Sequence, residues 1–460
     1  MYSEGYVTFS GVECVFIINN EEIRLIPKVR DEIRELNKCF DDQNFTFHFS
    51  DNEYNNCLAY IDRVKMNMGH SISLFPTYIV KLFNNEPISS MEITGPAIDE
   101  IFHPASYYYL KAVSGVKNNV DLTREIEEAD KWTIEVDGCS IDVCLQYGGI
   151  LRRGIASDMS LHPQLLVTFH PTNDVGFMFK VYKTLARFLK FVQYNSNSGE
   201  FKVRLHGCAP DYNSGYFYDC KSIGNDRVFY NQVEYRYIKP YIGKLLQFSA
   251  DNVGISLDYL PDATYRWNRN DYTPRILSSL FAAFESEYRA NIEKYETEPA
   301  EDLAKIREKA ISNIQECLNE DISDSERKFL VQVQNSVKNI GNQAGQNRKI
   351  KNVLQTLNSA LLKSAQHMFI REKLGTAAGF SADDVKRIAK EVVALRSQVS
   401  HEYSLLAFDD IQTEYVRFLE IIVYCMMLKR AGIDDDGIEL IIGIIFNCNS
   451  VRIEKMLLNC

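Results

Sequence analysis

The chain has no apolar run long enough to cross a bilayer as a helix. Its longest uncharged apolar stretches, Ile421 to Leu428 and Leu440 to Phe446, fall well short of the roughly 20 residues a span requires. The segment Met1 to Phe9 has neither the basic region nor the apolar core of a secretory signal. Cysteine framework spacing is also missing. The 11 cysteines are odd in number and scattered, which fits free thiols in a reducing cytoplasm. No His-Glu-x-x-His, nucleophile elbow or Walker A loop occurs, so these metalloprotease, hydrolase and nucleotidase chemistries have no motif to rest on. Positive charge is not in excess either. With 51 basic and 62 acidic residues the net charge is −11, which argues against general charge-driven binding to nucleic acid and confines any such contact to a local basic patch. The expectation is a cytoplasmic protein without membrane contact.

What is present reads as two unlike halves. A length of 460 residues, 45% hydrophobic and 25% charged, suits two or three ordinary globular domains. Up to about residue 268 the chain alternates with period two, as half-buried strands do. Phe45, Phe47 and Phe49 show it, as do Trp132-Ile134-Val136, Leu165-Val167-Phe169 and Val233-Tyr235-Tyr237. Turn-rich breaks separate the runs, at Asn19-Asn20, Asn84-Asn85, Gly148-Gly149 and Asn195 to Gly199. Between eight and twelve short strands are expected, with one helix among them carrying Val181, Leu185, Phe188, Leu189 and Val192 on one face.

The pattern changes at Thr273-Pro274, a good N-cap followed by a good first helical residue. Ile276, Leu277, Leu280, Phe281, Phe284 and Tyr288 then recur at helical spacing. A helix is expected at Leu303 to Leu318, with Ile306, Ala310, Ile314 and Cys317 on its face, and another at Ile350 to Leu362. The boundary falls at 265–273, giving a β-rich domain over 1–268 and a helical domain over 269–460. The fold class is α+β.

One helix of the second half carries the candidate chemistry. Ser381 and Asp384 resemble a capping box. Val385, Ile388, Val392, Leu395 and Val399 follow at spacings of 3, 4, 3 and 4, a seam for packing on other helices. Arg396 lies beside the seam, and His401 follows after four residues. At about 100° per residue the two positions are about 140° apart on a continuous helix. They meet at one phosphate only if the helix ends near Ser400 or a second subunit supplies its own pair. The seam is lost from His401 to Phe408, and Asp409 or Asp410 can cap the next helix, which Gly432 would stop.

This Arg-x4-His at a helix end, the short loop and the helix ending Leu428-Lys429-Arg430-Ala431-Gly432-Ile433 resemble a HEPN domain. The two-part architecture is similar to the ApeA-type HEPN proteins, bacterial anti-phage factors that join a β-rich domain to a HEPN ribonuclease. Within that likeness Ile276 to Arg289 corresponds to the opening helix, and Gly95 to Pro104 resembles a turn-and-strand segment of the β-rich domain. Ser397 stands where many members carry Asn, and Glu402-Tyr403 where many carry Gly or Asp. The resemblance implies an abortive-infection endoribonuclease that needs no metal or other cofactor. His401 would act as general base or acid and Arg396 as phosphate clamp, with Ser397 and Ser400 as polar support. Lys386, Arg387 and Lys390 would extend the cleft along the RNA backbone. It further implies a dimer or larger homo-oligomer through the HEPN domain, an RNA substrate such as tRNA, and a phage-derived trigger, a protein by preference, at the β-rich domain.

Blander readings stand beside these. Arg and His with four to six residues between them occur by chance on the order of once in such a chain, and Arg63 with His70 is one such pair. The alternative function is a non-catalytic HEPN scaffold whose β-rich domain recognises a ligand or protein. Lys386, Arg387 and Lys390 also read as a solvated helix face. His206, Cys208 and Cys220 are three zinc-ligand types without a CxxC pair or a fourth ligand. Cys139 and Cys144 read as packed thiols. Asp434 to Asp436 lacks the alternating spacing of a calcium loop and reads as a helix start. Arg152-Arg153 after Gly148-Gly149, and the Tyr107-Tyr108-Tyr109 run, are the remaining candidates for an anion turn and a ligand face.

Overall fold

The computed structural model describes residues 2–19, 22–38, 45–51, 55–67, 70–105, 126–150, 160–194, 201–208, 213–220, 233–251, 272–295, 300–319, 322–339, 345–401 and 407–448. Tyr107 to Tyr109, Arg152-Arg153 and most of the expected boundary at 265–273 lie outside them. The chain forms two compact units, the first through Val253 and the second from Gly254. An antiparallel sheet region precedes a helical region, so the class is α+β.

Twelve strands make one antiparallel sheet. They are β1 (Tyr2–Phe9), β2 (Val12–Asn19), β3 (Glu22–Pro27), β4 (Phe45–Ser50), β5 (Asn56–Asn67), β6 (Ser71–Leu82), β7 (Ile88–Thr94), β8 (Ile126–Val136), β9 (Cys139–Ile150), β10 (Ser160–Thr172), β11 (Lys202–His206) and β12 (Asn213–Asp219). The main order is β1-β2-β3-β6-β12-β11-β7-β10-β9-β8, and β5 pairs with both β4 and β6. Strand β6 is the branch point. Ile72, Ser73 and Leu74 pair with β3, Tyr78 to Leu82 pair with β12, and β5 runs along the other edge. Pro76 lies between the two pairings, opposite the β5 bulge around Ile61. Having no N–H to give a ladder, proline fits where one pairing stops and the next begins.

Local chemistry explains the hairpins. Asp137 and Gly138 both have positive φ, 54° and 76°, which a tight two-residue turn between β8 and β9 demands. Cys139 emerges from that turn exposed, whereas Cys144 is buried, so only the second is the packed thiol expected. Helix α1 (Ile33–Lys38) places Leu36 in a core with Phe16, Leu25, Phe47, Ile72 and Leu74. Helix α3 (Val175–Gln193), capped by Asp174 accepting from the Phe177 amide, buries Val181, Leu185, Phe188, Leu189 and Val192 as the spacing predicts.

Two segments differ from the sequence expectation. After β7 the chain turns directly into helix α2 (Pro96–Ile101), with Pro96 at its first turn, so Gly95 to Pro104 does not contain the expected strand. Val233 to Tyr237 is not a strand either, because Tyr235–Ile238 forms a helical turn leading into α4 (Ile242–Asp251). Val233 and Tyr235 are buried, but the pattern continues through Ile238, Ile242, Leu245 and Leu246. Three alternating residues are too short a window to separate period two from period 3.6. A ring contact, Phe191 to Phe248 at 5.1 Å, fastens α4 to α3.

The second unit contains α5 (Pro274–Ala290), α6 (Ala300–Leu318), α7 (Asp324–Asn339), α8 (Gln346–Leu357), α9 (Ala382–His401), α10 (Asp410–Arg430) and α11 (Asp435–Ile445). Among its described residues there is no strand, and no helix is long and apolar enough to cross a membrane. The expected caps form. Thr273 accepts from the Ile276 amide, Asp409 and Gln412 make a full capping box, and Asp434 caps α11. Gly432, at φ 80°, closes α10, with the Ile433 amide donating to Leu428 O and the Gly432 amide to Lys429 O. Helix α10 is buried almost all round from Tyr415 to Leu428, as the central helix of a bundle is. Helices α6 and α7 pair with each other, yet Ile306 is 65% and Phe329 64% exposed. The face that carries Ile306 and Cys317 is therefore largely open, because amphipathic spacing identifies a face without naming what covers it.

Inside this bundle Glu287 of α5, 1% exposed, receives two hydrogen bonds from the Arg430 guanidinium, at 2.7 and 2.8 Å. Arg430→Met removes the cation and leaves the carboxylate in place. The expected loss is about 3–5 kcal/mol of stability, measured by denaturant unfolding of the two proteins, and a loss below about 1 kcal/mol would show that the pair contributes little.

Candidate functional site

Helix α9 begins as its sequence suggests. The Ser381 amide and hydroxyl both donate to the Asp384 carboxylate, and the Asp384 amide donates back to Ser381 Oγ. Val385, Ile388, Val392 and Leu395 are buried, packing the helix on α8, α10 and α5. The helix continues through His401, the last residue described in this segment. Ser400 and His401 are placed by their backbone alone, and 402–406 lie outside the described residues.

At 100° per residue the positions sort into two faces. Arg396 falls beside Ala389 and Val385, on the edge of the packed seam. Positions 386, 387, 390, 397 and 401 fall together on the opposite, outer side. Arg396 and position 401 therefore stand about 140° apart on one helix, and a single α9 does not present them side by side. The basic residues of the outer face are partly committed. Lys386 pairs with Asp383 at 3.2 Å, Arg387 pairs with Glu372, and Lys390 and Ser397 are exposed.

Arg396 is held from the side of α5. Its guanidinium lies 5.0 Å from the centre of the Phe281 ring and its Nη1 is 3.9 Å from Glu285 Oε1. Phe281 and Glu285 are one turn apart, so one helix face supplies both the ring and the charge. Glu285 has a closer cation on its other oxygen, Lys349 of α8 at 2.7 Å, and Gln346 also donates to it. Lys349 is only 7% exposed on its side chain and lies 5.5 Å from the Tyr288 ring. Arg396 itself remains 40% exposed, so part of the guanidinium faces solvent and can accept an anion. Sequence reading passed over Glu285 and Lys349. A carboxylate inside the apolar run Phe281, Phe284, Tyr288 was the available signal.

The other candidates separate in space. In the register of β11 with β12, His206 is opposite Asn213, whereas Cys220 follows the Asp219 end of β12. At about 3.3 Å per residue that is roughly 20 Å along the hairpin, so His206, Cys208 and Cys220 do not converge. Among the described residues no group of three His, Cys, Asp or Glu side chains could hold a metal ion. His206 instead lies 3.5 Å from Glu92, which also pairs with Arg204 at 3.1 Å. Of the chance pair, Arg63 stacks on Phe75 at 4.2 Å and His70 lies beside Arg30. No protein-family model, curated protein or solved structure matches the chain.

His206 first, then Arg204, holds the Glu92 carboxyl below its ordinary value of 4.5 against the opposing effect of burial. A folded-state value below the unfolded one stabilises the protein above the unfolded value and is lost as pH falls through the folded one. Wild type should therefore exceed Glu92→Gln in Tm at about pH 6, and the difference should shrink toward about pH 3. A difference that is constant over that range in paired thermal melts would assign Glu92 a purely steric role.

Proposed function

We propose that the chain is a HEPN-type endoribonuclease of ApeA-like architecture, acting as an abortive-infection effector against phage. The observation that carries this reading is the half-exposed Arg396 guanidinium, seated on a packed helix that runs on through position 401, where the sequence has His401. The likeness of the Arg-x4-His motif supplies the chemistry. His401 takes the proton of a ribose 2′-hydroxyl, and the 2′-oxygen forms a bond to phosphorus. The bond from phosphorus to the 5′-oxygen breaks, and that oxygen receives a proton, leaving a 2′,3′-cyclic phosphate and a 5′-hydroxyl. Arg396 neutralises charge gathering on the non-bridging oxygens. Ser397 and Ser400 support the pair.

The 140° between the two positions gives the site its expected form. Two α9 helices from two copies, set side by side, would each bring the residue the other lacks to a shared cleft. Lys390, which has no ion-pair partner among the described residues, offers its charge to the RNA backbone, while Lys386 and Arg387 would first have to leave Asp383 and Glu372. The sheet unit is then the sensor, and a phage protein its trigger. A second reading, a HEPN scaffold without catalysis, is favoured by the seating of Arg396 between Phe281 and Glu285, which would serve packing alone.

Purified protein incubated with total RNA in EDTA, with and without lysate from phage-infected cells, separates the two. Cleavage leaving 2′,3′-cyclic phosphates, lost by at least about 100-fold in His401→Ala and in Arg396→Ala, is the expected result. Full protection against phage by both variants would leave the scaffold.

A further inference from the structure

The cluster around Arg396 has one carboxylate for two cations. Glu285 Oε2 is 2.7 Å from Lys349 and its Oε1 is 3.9 Å from Arg396. The lysine is buried and close, and the arginine is exposed and at the limit of an ion pair. The two contacts therefore differ in kind. Lys349, nearly out of solvent, requires a permanent counter-ion. Arg396 has weaker need of one, because its outer edge is hydrated and its flat face rests on Phe281. A phosphate reaching the solvent side of Arg396 approaches a guanidinium whose charge is already partly countered.

We propose that Glu285 is the resting counter-ion of Arg396 and that an RNA phosphate engages the site by taking its place. This rests on the ribonuclease reading and adds a positioning residue to it. Lys349 makes the exchange possible, since it keeps the carboxylate neutralised on the side away from the arginine when the phosphate arrives. Phe281 holds the guanidinium plane in place throughout, so the change is one of charge partner and not of side-chain location. The cluster thus lowers the attraction of Arg396 for stray anions while leaving it in register for a bound strand.

The test is fluorescence anisotropy of a labelled, 2′-O-methylated six-nucleotide RNA, which can bind but cannot be cut. Glu285→Gln keeps a hydrogen-bond acceptor for Lys349 and removes the charge. It should bind about two- to fivefold more tightly than wild type, the range of a solvent-screened ion pair, and Glu285→Gln with Arg396→Gln should lose that gain. Should Glu285→Gln fold poorly in a thermal melt, Glu285→Gln with Lys349→Gln, which removes both charges of that pair, takes its place. Weaker RNA binding by Arg396→Gln with no gain from removing the Glu285 charge would overturn the counter-ion role and leave the ribonuclease reading standing. Binding that is absent in wild type both with and without lysate from phage-infected cells, or unchanged by Arg396→Gln, would overturn both.

Discussion

Two carboxylates of α5 tie the helical unit together. Glu287 is buried and takes both arms of Arg430 from α10, while Glu285 faces Lys349 of α8 and Arg396 of α9. One helix thereby fixes α8 and α10 through charge and meets α9 through a looser, half-exposed pair, in addition to apolar packing. Buried charges tolerate few arrangements, since each lost partner leaves a desolvated ion. They therefore act as register marks, setting where α8 and α10 stand along α5. Arg396 sits next to one of those marks, with Phe281 beneath it and Glu285 at its side.

The same arrangement explains how a candidate site can exist in an acidic chain. Net charge of −11 repels a polyanion at long range, and only a cation shielded from its neighbours by packing can offer a local exception. On the outer face of α9, Lys386 and Arg387 are engaged by carboxylates. Affinity for a strand would have to come from few contacts and from shape, giving a shallow dependence on salt.

Much of the local structure could be read from the sequence. Thr273, Ser381 with Asp384, Asp409, Asp434 and Gly432 announce helix ends by side-chain and backbone chemistry that acts within a few residues, and each behaves accordingly. The seam of α9 and the face of α3 were equally visible, because helical period needs only a dozen residues to show. Sheet order was not visible. Nothing near Ser71 to Leu82 says that β6 pairs with β3 at one end and β12 at the other. Short windows misled at Val233 to Tyr237, where burial continues in helical period, and at Gly95 to Pro104, where Pro96 starts a helix. The partners of Arg396 were hidden for a similar reason. Glu285 and Lys349 lie 111 and 47 positions before it, and only the packing of α5 and α8 against α9 brings them near.

The forked strand β6 has a consequence for how the chain is made. Its far half waits for β12, which is translated more than a hundred residues later, a delay of roughly ten seconds at ordinary ribosome speeds. Until β12 is made, the stretch from Tyr78 to Leu82, Tyr-Ile-Val-Lys-Leu, has a ladder partner on its β5 side alone. An edge of that kind invites pairing with a neighbouring nascent chain on the same message. Lys81, set among those residues, puts a charge where such a pairing would begin, and later finds Asp51 as its buried partner at 2.7 Å.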